Sequence, residues 1–347
     1  MAAYTTIDDP SANFQTVIYT GNATDGRSIT NNGNSNLQPD FVWGRVRNAG
    51  ISFWSYDSSR GATKRIYTDF ASTEATITNG LQSFNSNGFT IGDNAEINGN
   101  SNLFVAWQWK ANGGTTSSNT DGATTSTVQA NTDAGFSIVT FTTTGSTTTF
   151  GHGLGAKPNV IISKHRTGSN PWYVFTDVLT GSMQYGVWND TNAFANSSYN
   201  APTSTVFELN DDASSTHVAY CFAEKKGYSK FGRYTGNGSA DGPFVFTGFK
   251  PAFVMLKNSS AVESWVVYDN QRNPYNPADL KLSPDTGFSE NGNSGIGGSA
   301  YNNIDILSNG FKLITNNAAT NGSGNKLLYM AFAEQPFVTS TGIPTTA

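Results

Sequence analysis

The chain has 347 residues, of which 37% are hydrophobic, 13% aromatic and only 13% charged, with one cysteine and a formal net charge of -5. At roughly 100–200 residues per domain, this length allows two or three domains with real cores. So many aromatics exclude charge-driven disorder, lone Cys221 excludes a disulfide framework or thiolate-rich metal centre, and 20 scattered Lys and Arg leave no basic stripe for nucleic acid.

Thirty-six glycines, and asparagines at least as numerous, argue against long helices, because Gly costs about 1 kcal/mol per helical position and Asn competes for backbone hydrogen bonds. The expected fold is all-β. No apolar run approaches the roughly 18–20 residues that span a bilayer. The start, Met1–Thr6, lacks the basic and apolar regions of a signal peptide, so the expectation is a soluble protein made in a cytoplasm, with no membrane insertion.

In chain order, residues 1–13 form an N-terminal arm, and then one pattern recurs three times. The first copy, 14–111, opens on Thr16–Asn22, continues with the proline-led strand Pro39–Trp43, the aromatic segment Phe53–Asp57 and the segment Ser86–Ile91, and closes on Val105–Trp109. Residues 112–134 are rich in Gly, Ser and Thr without a hydrophobic cluster, and their length exceeds the roughly 12–15 residues usual for an internal loop, which predicts a linker. The second copy, 135–225, runs through Ser137–Thr142, Pro158–Ile162, Trp172–Asp177, a looser Ser204–Leu209 and Val218–Phe222. The third, 226–337, follows with no spacer through Phe231–Asn237, Pro251–Met255, Trp265–Asp269, Ser308–Leu313 and Tyr329–Ala333, before a tail at 338–347. Copies two and three are therefore expected to pack as one unit.

Proline can begin a strand because the first residue need not donate to the ladder. Val105, Trp107 and Trp109 alternate with Ala106 and Gln108, the period-2 pattern of a half-buried sheet. Pairs such as Asn87-Gly88 and Asn309-Gly310 supply the positive-φ residues that tight hairpins need. Short strands and tight turns in copies of about 90–110 residues predict tandem antiparallel β-sandwich repeats, lectin-like or jelly-roll-like, with little helix.

Catalytic patterns are sparse. The three histidines are His152, His165 and His217. Gly151–Gly155 surrounds His152 but leads into a strand, not into the helix N-terminus a phosphate loop requires, so it reads as a turn. His217 reads as an edge or rim residue, no His-x-x-x-His or Glu-x-x-His pair marks a zinc site, and Cys221, in line with Gln108 and Phe332 of the other closing strands, reads as a buried inert thiol. No Gly-x-Ser-x-Gly elbow or Glu-x-Asp-x-Glu triplet occurs. The expectation is a protein that is not an enzyme, with no catalytic residue, metal or cofactor. Asp93, Asn94, Asp241 and Asp285 lack the spacing of a calcium loop. For glycan binding, which uses aromatic faces beside Asn and Asp, the candidates are Trp188, Tyr199, Tyr275 and Tyr301.

The segments Trp54–Lys64, Leu81–Phe89, Ala106–Ala111, Ala219–Glu224, Gly227–Gly232 and Tyr234–Asn237, with Phe249–Met255, Arg272–Asn276 and Met330–Glu334, together resemble a family of virion proteins of marine tailed bacteriophages, of the tail-fibre or appendage type. The resemblance runs from about residue 14 to 337 and carries no catalytic or ligand residue. It implies a virion structural protein built of repeated β-sandwich domains of unknown function, assembled in the bacterial host cytoplasm and displayed on the particle. Its partners would be other virion proteins and a host cell-surface glycan, with no nucleic acid. Analogy with phage fibres suggests a homo-oligomer, a trimer first. The expected role is host attachment. Head decoration is the alternative within that class, and a free carbohydrate-binding module or glycan-degrading enzyme the alternative outside it.

Overall fold

The computed structural model describes residues 4–290 and 303–345. Copy one contains β1 (Phe14–Thr20), β2 (Arg27–Thr30), β3 (Phe41–Val46), β4 (Trp54–Asp57), β5 (Lys64–Tyr67), β6 (Ala75–Thr76), β7 (Leu81–Asn85), β8 (Gly88–Ile91), the one-turn helix α1 (Ala95–Asn98) and β9 (Leu103–Trp109). Copy two contains β10 (Ser117–Asn119), β11 (Ser126–Asn131), β12 (Phe136–Thr142), β13 (Thr148–Gly151), β14 (Val160–His165), β15 (Tyr173–Thr176), β16 (Gln184–Val187), β17 (Ala195–Asn196), β18 (Val206–Leu209) and β19 (Thr216–Phe222). Copy three contains β20 (Ser229–Thr235), β21 (Phe244–Phe246), β22 (Phe249–Asn258), β23 (Val266–Asp269), β24 (Ile304–Leu307), β25 (Gly310–Leu313), α2 (Ala318–Asn321) and β26 (Lys326–Pro336).

Each copy is a sandwich of a large antiparallel sheet and a small one. The large sheets run β1-β9-β3-β4-β5-β6, β10-β11-β12-β19-β14-β15-β16-β17 and β20-β26-β22-β23. In all three the closing strand lies between the opening strand and the proline-led strand. The small sheets are β2-β8-β7, β13-β18 and β21-β25-β24. The β7–β8 hairpin turns at Asn87-Gly88, where Gly88 has φ +111° and a Cβ would meet the Ile29 carbonyl oxygen at 2.0 Å, so no other residue fits there.

One face of each large sheet packs on its own small sheet: Val42, Trp54 and Tyr56 against Phe89 and Ile91 in copy one, for example, and Val254 and Leu256 with Phe311 and Leu313 in copy three. The opposite faces of all three large sheets meet in one common core that includes Trp43, Trp107, Ile162, Trp172, Tyr220, Met255 and Met330. The large sheets are thus buried on both sides, which is why β3 and β4 have no exposed residue. The half-buried sheet read from the alternation in β9 is corrected accordingly: Ala106 and Gln108 are as buried as Trp107, and Gln108 exchanges amide hydrogen bonds with Asn31 at 2.6 and 3.1 Å.

Strand register makes Trp109, Phe222 and Phe332 equivalent, since they pair with Phe41, Val160 and Phe253. These three rings touch one another edge to face, with centroids 6.3, 5.5 and 5.9 Å apart, around a pseudo-threefold axis. The same register places Ala331, not Phe332, beside Gln108 and Cys221. The sequence alignment of the third closing strand was one residue out, and such a slip exchanges the two faces of a strand.

Two further sequence expectations change. Residues 112–134 do not form a linker, because β10 and β11 lie within them and extend the large sheet of copy two, with β11 paired along β12. Copies two and three do not stand apart from copy one as a unit, because all three share the central core. The arm also joins it: Ile7 is buried there, and Asp8 accepts a hydrogen bond from the Ser340 backbone N–H of the tail at 2.6 Å.

The seams between copies repeat the same contacts. Glu74 N–H donates to the Arg166 carbonyl at 2.7 Å, Phe194 to Ser259 at 3.0 Å and Glu290 to Arg47 at 2.8 Å, joining copies one to two, two to three and three to one. The ring is closed. In the first seam Arg166 pairs with Glu74 at 2.9 Å, Glu74 with Arg60 at 3.2 Å, Arg60 with buried Asp57, and Tyr220 O–H donates to Asp57 at 2.7 Å. In the closing seam Arg47, Glu290, Arg272 and Asp269 repeat this set, with Trp107 Nε1–H donating to Asp269 at 3.1 Å. The middle seam replaces the charges: Thr176 stands at the Asp57 position, and Leu179 and Phe194 pack on the common core. Arg45, Lys164 and Lys257 are equivalent too, each buried and donating to backbone carbonyls, with Arg45 reaching Gly287 of copy three at 3.2 Å and Lys257 reaching Thr191 of copy two at 2.7 Å.

Breaking one partner of a buried ionic set leaves an uncompensated charge, whereas exchanging the whole set for packed apolar groups is often neutral. Arg60→Met alone is therefore expected to cost about 3–5 kcal/mol in chemical denaturation. Asp57→Thr, Arg60→Leu, Glu74→Phe, Arg166→Ser and Tyr220→Met together, which copy the middle seam into the first, should stay within about 1.5 kcal/mol of the native chain; a loss equal to that of Arg60→Met would contradict the equivalence of the seams.

A second expectation concerns acid. Burial opposes ionisation of Glu74, but the hydrogen bonds and charges of Arg166 and Arg60 outweigh it and hold its pKa below the ordinary 4.5. A carboxylate depressed in the folded state stabilises above its unfolded pKa and loses that contribution as pH falls through the folded value. Denaturation midpoints of native and Glu74→Gln chains should therefore differ most above pH 4.5 and converge on acidification below it.

Candidate functional site

The three copies differ most where copy two is incomplete. Copies one and three have three-stranded small sheets, with β7 and β24 hairpinned to β8 and β25, but the small sheet of copy two is only β13-β18. In place of the third strand runs the segment 197–205, which contains Pro202 and is tied back by its own polar groups: Asn200 N–H and Nδ2 donate to Glu208 at 2.9 and 2.8 Å. The connection to the closing strand is also reduced. Residues 92–102 and 314–325 carry α1 and α2, whereas 210–215 carries no helix.

These two reductions uncover the inner face of β14, β15 and β16, leaving a groove of about 420 Å³, a volume suited to a small ligand. Tyr173, Phe175, Tyr185 and Tyr199 supply its aromatic lining, and Asn170, Asn196 and Asn210 supply amides. Tyr173 and Phe175 stand where copy one has the fully buried Trp54 and Tyr56, so the missing cover converts core positions into groove wall. Tyr199 is held by its hydroxyl, which donates to the Asn210 carbonyl at 3.2 Å and accepts from the Asn210 N–H at 3.1 Å.

His165, Asp211 and His217 lie together in the same groove. His165 and His217 pair across β14 and β19 at positions where copy one has Val46 and Phe104, and copy three Asn258 and Leu327, all fully buried. Their rings stack at 5.0 Å, and Phe141 stacks on the far side of His217 at 5.3 Å. Asp211 Oδ2 is 3.0 Å from His217 Nε2 and 3.6 Å from His165 Nδ1. Beyond the Asp211 contact neither ring nitrogen of His217 has a hydrogen-bond partner, although the residue is only 4% exposed. Burial pushes the His217 pKa below the ordinary imidazole value, against the opposing pull of Asp211.

Of the glycan candidates that lie among the described residues, only Tyr199 lines the groove. Trp188 is 2% exposed and packs on Trp43 and Trp172 in the common core, because copy two turns that face of its sheet toward the axis. It cannot present a ring to a sugar. Tyr275 is 83% exposed but does not line the groove, and Tyr301 lies outside the described residues. His217 is no rim residue but sits between β12 and β14. His152 is buried, with Nε2 3.3 Å from the Thr203 carbonyl, and burial lowers its pKa to about 4. Asp93, Asp241 and Asp285 are engaged separately by Asn79, Lys312 and the Trp265 N–H, and Asn94 caps α1.

The histidine pair escaped sequence reading because its members are distant in the chain and follow no spaced motif. The detectable signal was internal: two histidines at positions that the sister copies fill with core residues.

Fold and groove define a closed ring of three β-sandwich copies with a polar-aromatic cleft in its middle copy. The chain belongs to the DUF7483 family, a domain of unknown function, whose profile matches residues 9–336. No curated protein matches it.

Cys221 is fully buried, and burial raises its pKa well above the usual thiol range. A thiol-reactive chromogen should titrate none of it in the native chain and one equivalent after denaturation; labelling at a rate typical of free thiols would place Cys221 at an accessible surface.

Proposed function

We propose that the protein is a non-enzymatic binding component of a bacteriophage particle, of the tail-fibre or appendage type, that attaches to host-surface glycan through the groove of copy two. The observation that carries the binding half of this reading is the groove itself: aromatic faces beside amides, in a place where the sister copies are closed. Sugar rings stack on such faces while hydroxyls bond to Asn and Asp. The particle half rests on the sequence resemblance described above. Among the described residues Asp211 is the one carboxylate that lines the groove, and glycoside hydrolysis uses a pair flanking the scissile bond, which favours binding over cleavage. The homotrimer expected from fibre analogy is not needed to build a threefold body, because one chain closes its own ring.

The reading is tested by titrating the full chain with host lipopolysaccharide and capsular polysaccharide, and by competing it against particles for adsorption to cells. Binding should weaken by about tenfold, equivalent to 1.4 kcal/mol, in Tyr199→Ala and in Tyr185→Ala, and be unchanged in Tyr275→Ala. Absence of binding to every host polymer, with the chain located on the head of purified particles, would favour decoration instead. Polymer cleavage would favour the enzyme.

A further inference from the structure

We propose that His165, Asp211 and His217 form a binding site for one divalent transition-metal ion, zinc by preference, in the groove of copy two. This goes beyond the glycan reading and does not depend on it.

The argument begins with the ligand atoms. One ligand atom from each of His165, Asp211 and His217 lies within 4.8 Å of the others, and Asp211 Oδ2 is 3.0 Å from His217 Nε2 and 3.6 Å from His165 Nδ1. An ion held tetrahedrally at about 2.0–2.2 Å from each donor separates its ligands by roughly 3.4 Å, so small side-chain rotations suffice. Two imidazoles and a carboxylate are a donor set that zinc accepts and calcium does not favour. The stacked rings must turn about χ2 for both lone pairs to converge, and His165, partly open to the groove, has room to do so. Its other nitrogen, Nε2, is already 3.1 Å from Thr167 Oγ1, the kind of outer contact that fixes the tautomer of a ligating histidine.

A second observation points the same way. His217 is a buried imidazole whose ring nitrogens have no partner beyond the Asp211 contact, an arrangement that costs stability unless something accepts the lone pair. The sandwich does not require it, since the sister copies fill that position with Phe104 and Leu327. The shortened 210–215 connection, which lacks the helix present in both sisters, is what brings Asp211 over the pair. Three departures from the repeat pattern thus converge on one point. Three protein donors leave a fourth position facing the groove, and on ligation His165 Nδ1 gives up its proton and its 2.8 Å hydrogen bond to Asn170 Oδ1, which frees that amide beside the open position. A water or a ligand hydroxyl could complete the shell there.

The test uses the full chain stripped with a chelator and titrated calorimetrically with zinc chloride alone, with no glycan present. One ion per chain is expected, and cobalt(II) in its place should give the visible absorption of a four-coordinate ion. Affinity should fall by about tenfold or more in Asp211→Asn and in His165→Val. His217→Phe copies the residue of copy one and should retain the native melting curve while losing the site. Zinc uptake that is equal in the native chain and in His217→Phe, or no uptake by the native chain, overturns the proposal. Neither outcome touches the glycan reading, which is scored with the tyrosine variants.

Discussion

The structure depends on three aromatic rings meeting at the pseudo-threefold axis. Trp109, Phe222 and Phe332 occupy equivalent positions on the closing strands of the three large sheets, and each buries its edge or face against the other two. A large sheet whose outer face carries Trp43, Trp107 and Trp109, or Trp172, Tyr220 and Phe222, cannot be stable beside water. It needs two more of its kind. The hydrophobic effect therefore acts between copies as strongly as within them, and the seams of ion pairs and backbone bonds set the order in which copies follow around the axis. Aromatic truncations at such a site typically cost about 3–5 kcal/mol, which is comparable to the entire stability of many domains.

This constraint explains how copy two can differ. A sandwich standing alone would expose its core on losing a strand and a helix from one layer. Here the large sheet of copy two is held from the other side by copies one and three, so its inner face can be partly uncovered. Tyr173 and Tyr185, with an apolar ring and a polar hydroxyl, suit a wall that is wet on one side.

Much of the fold was legible in the sequence. The all-β sandwich character, the three copies and the place of the proline-led strands follow from periodicity and turn chemistry, which are local signals. The common core was not legible, because Ala106, Gln108 and Cys221 look like an outer face when only one copy is considered, and nothing local shows that another sheet covers Trp107. For the same reason Trp188 looked available when it is central. The linker expectation for 112–134 fails because β10, the edge strand, and β11 beside it are mostly polar, with Ser118 and Thr127 paired to each other and no apolar pattern to mark them. Within the site, Tyr199 was legible as an aromatic in an Asn-rich segment. His165 and His217 were not, since their proximity is created by strand register and Asp211 joins them only through a shortened connection.

Closing the ring within one chain has a consequence for valency. Three identical chains around an axis would display three identical grooves, and a receptor array could engage all of them with the gain that linked sites provide. Tandem fusion lets each third of the ring drift separately, and only the middle one has opened. Among the described residues the aromatic cleft belongs to one copy of the three, so tight attachment to a surface through it would have to come from many molecules side by side rather than from within any one of them.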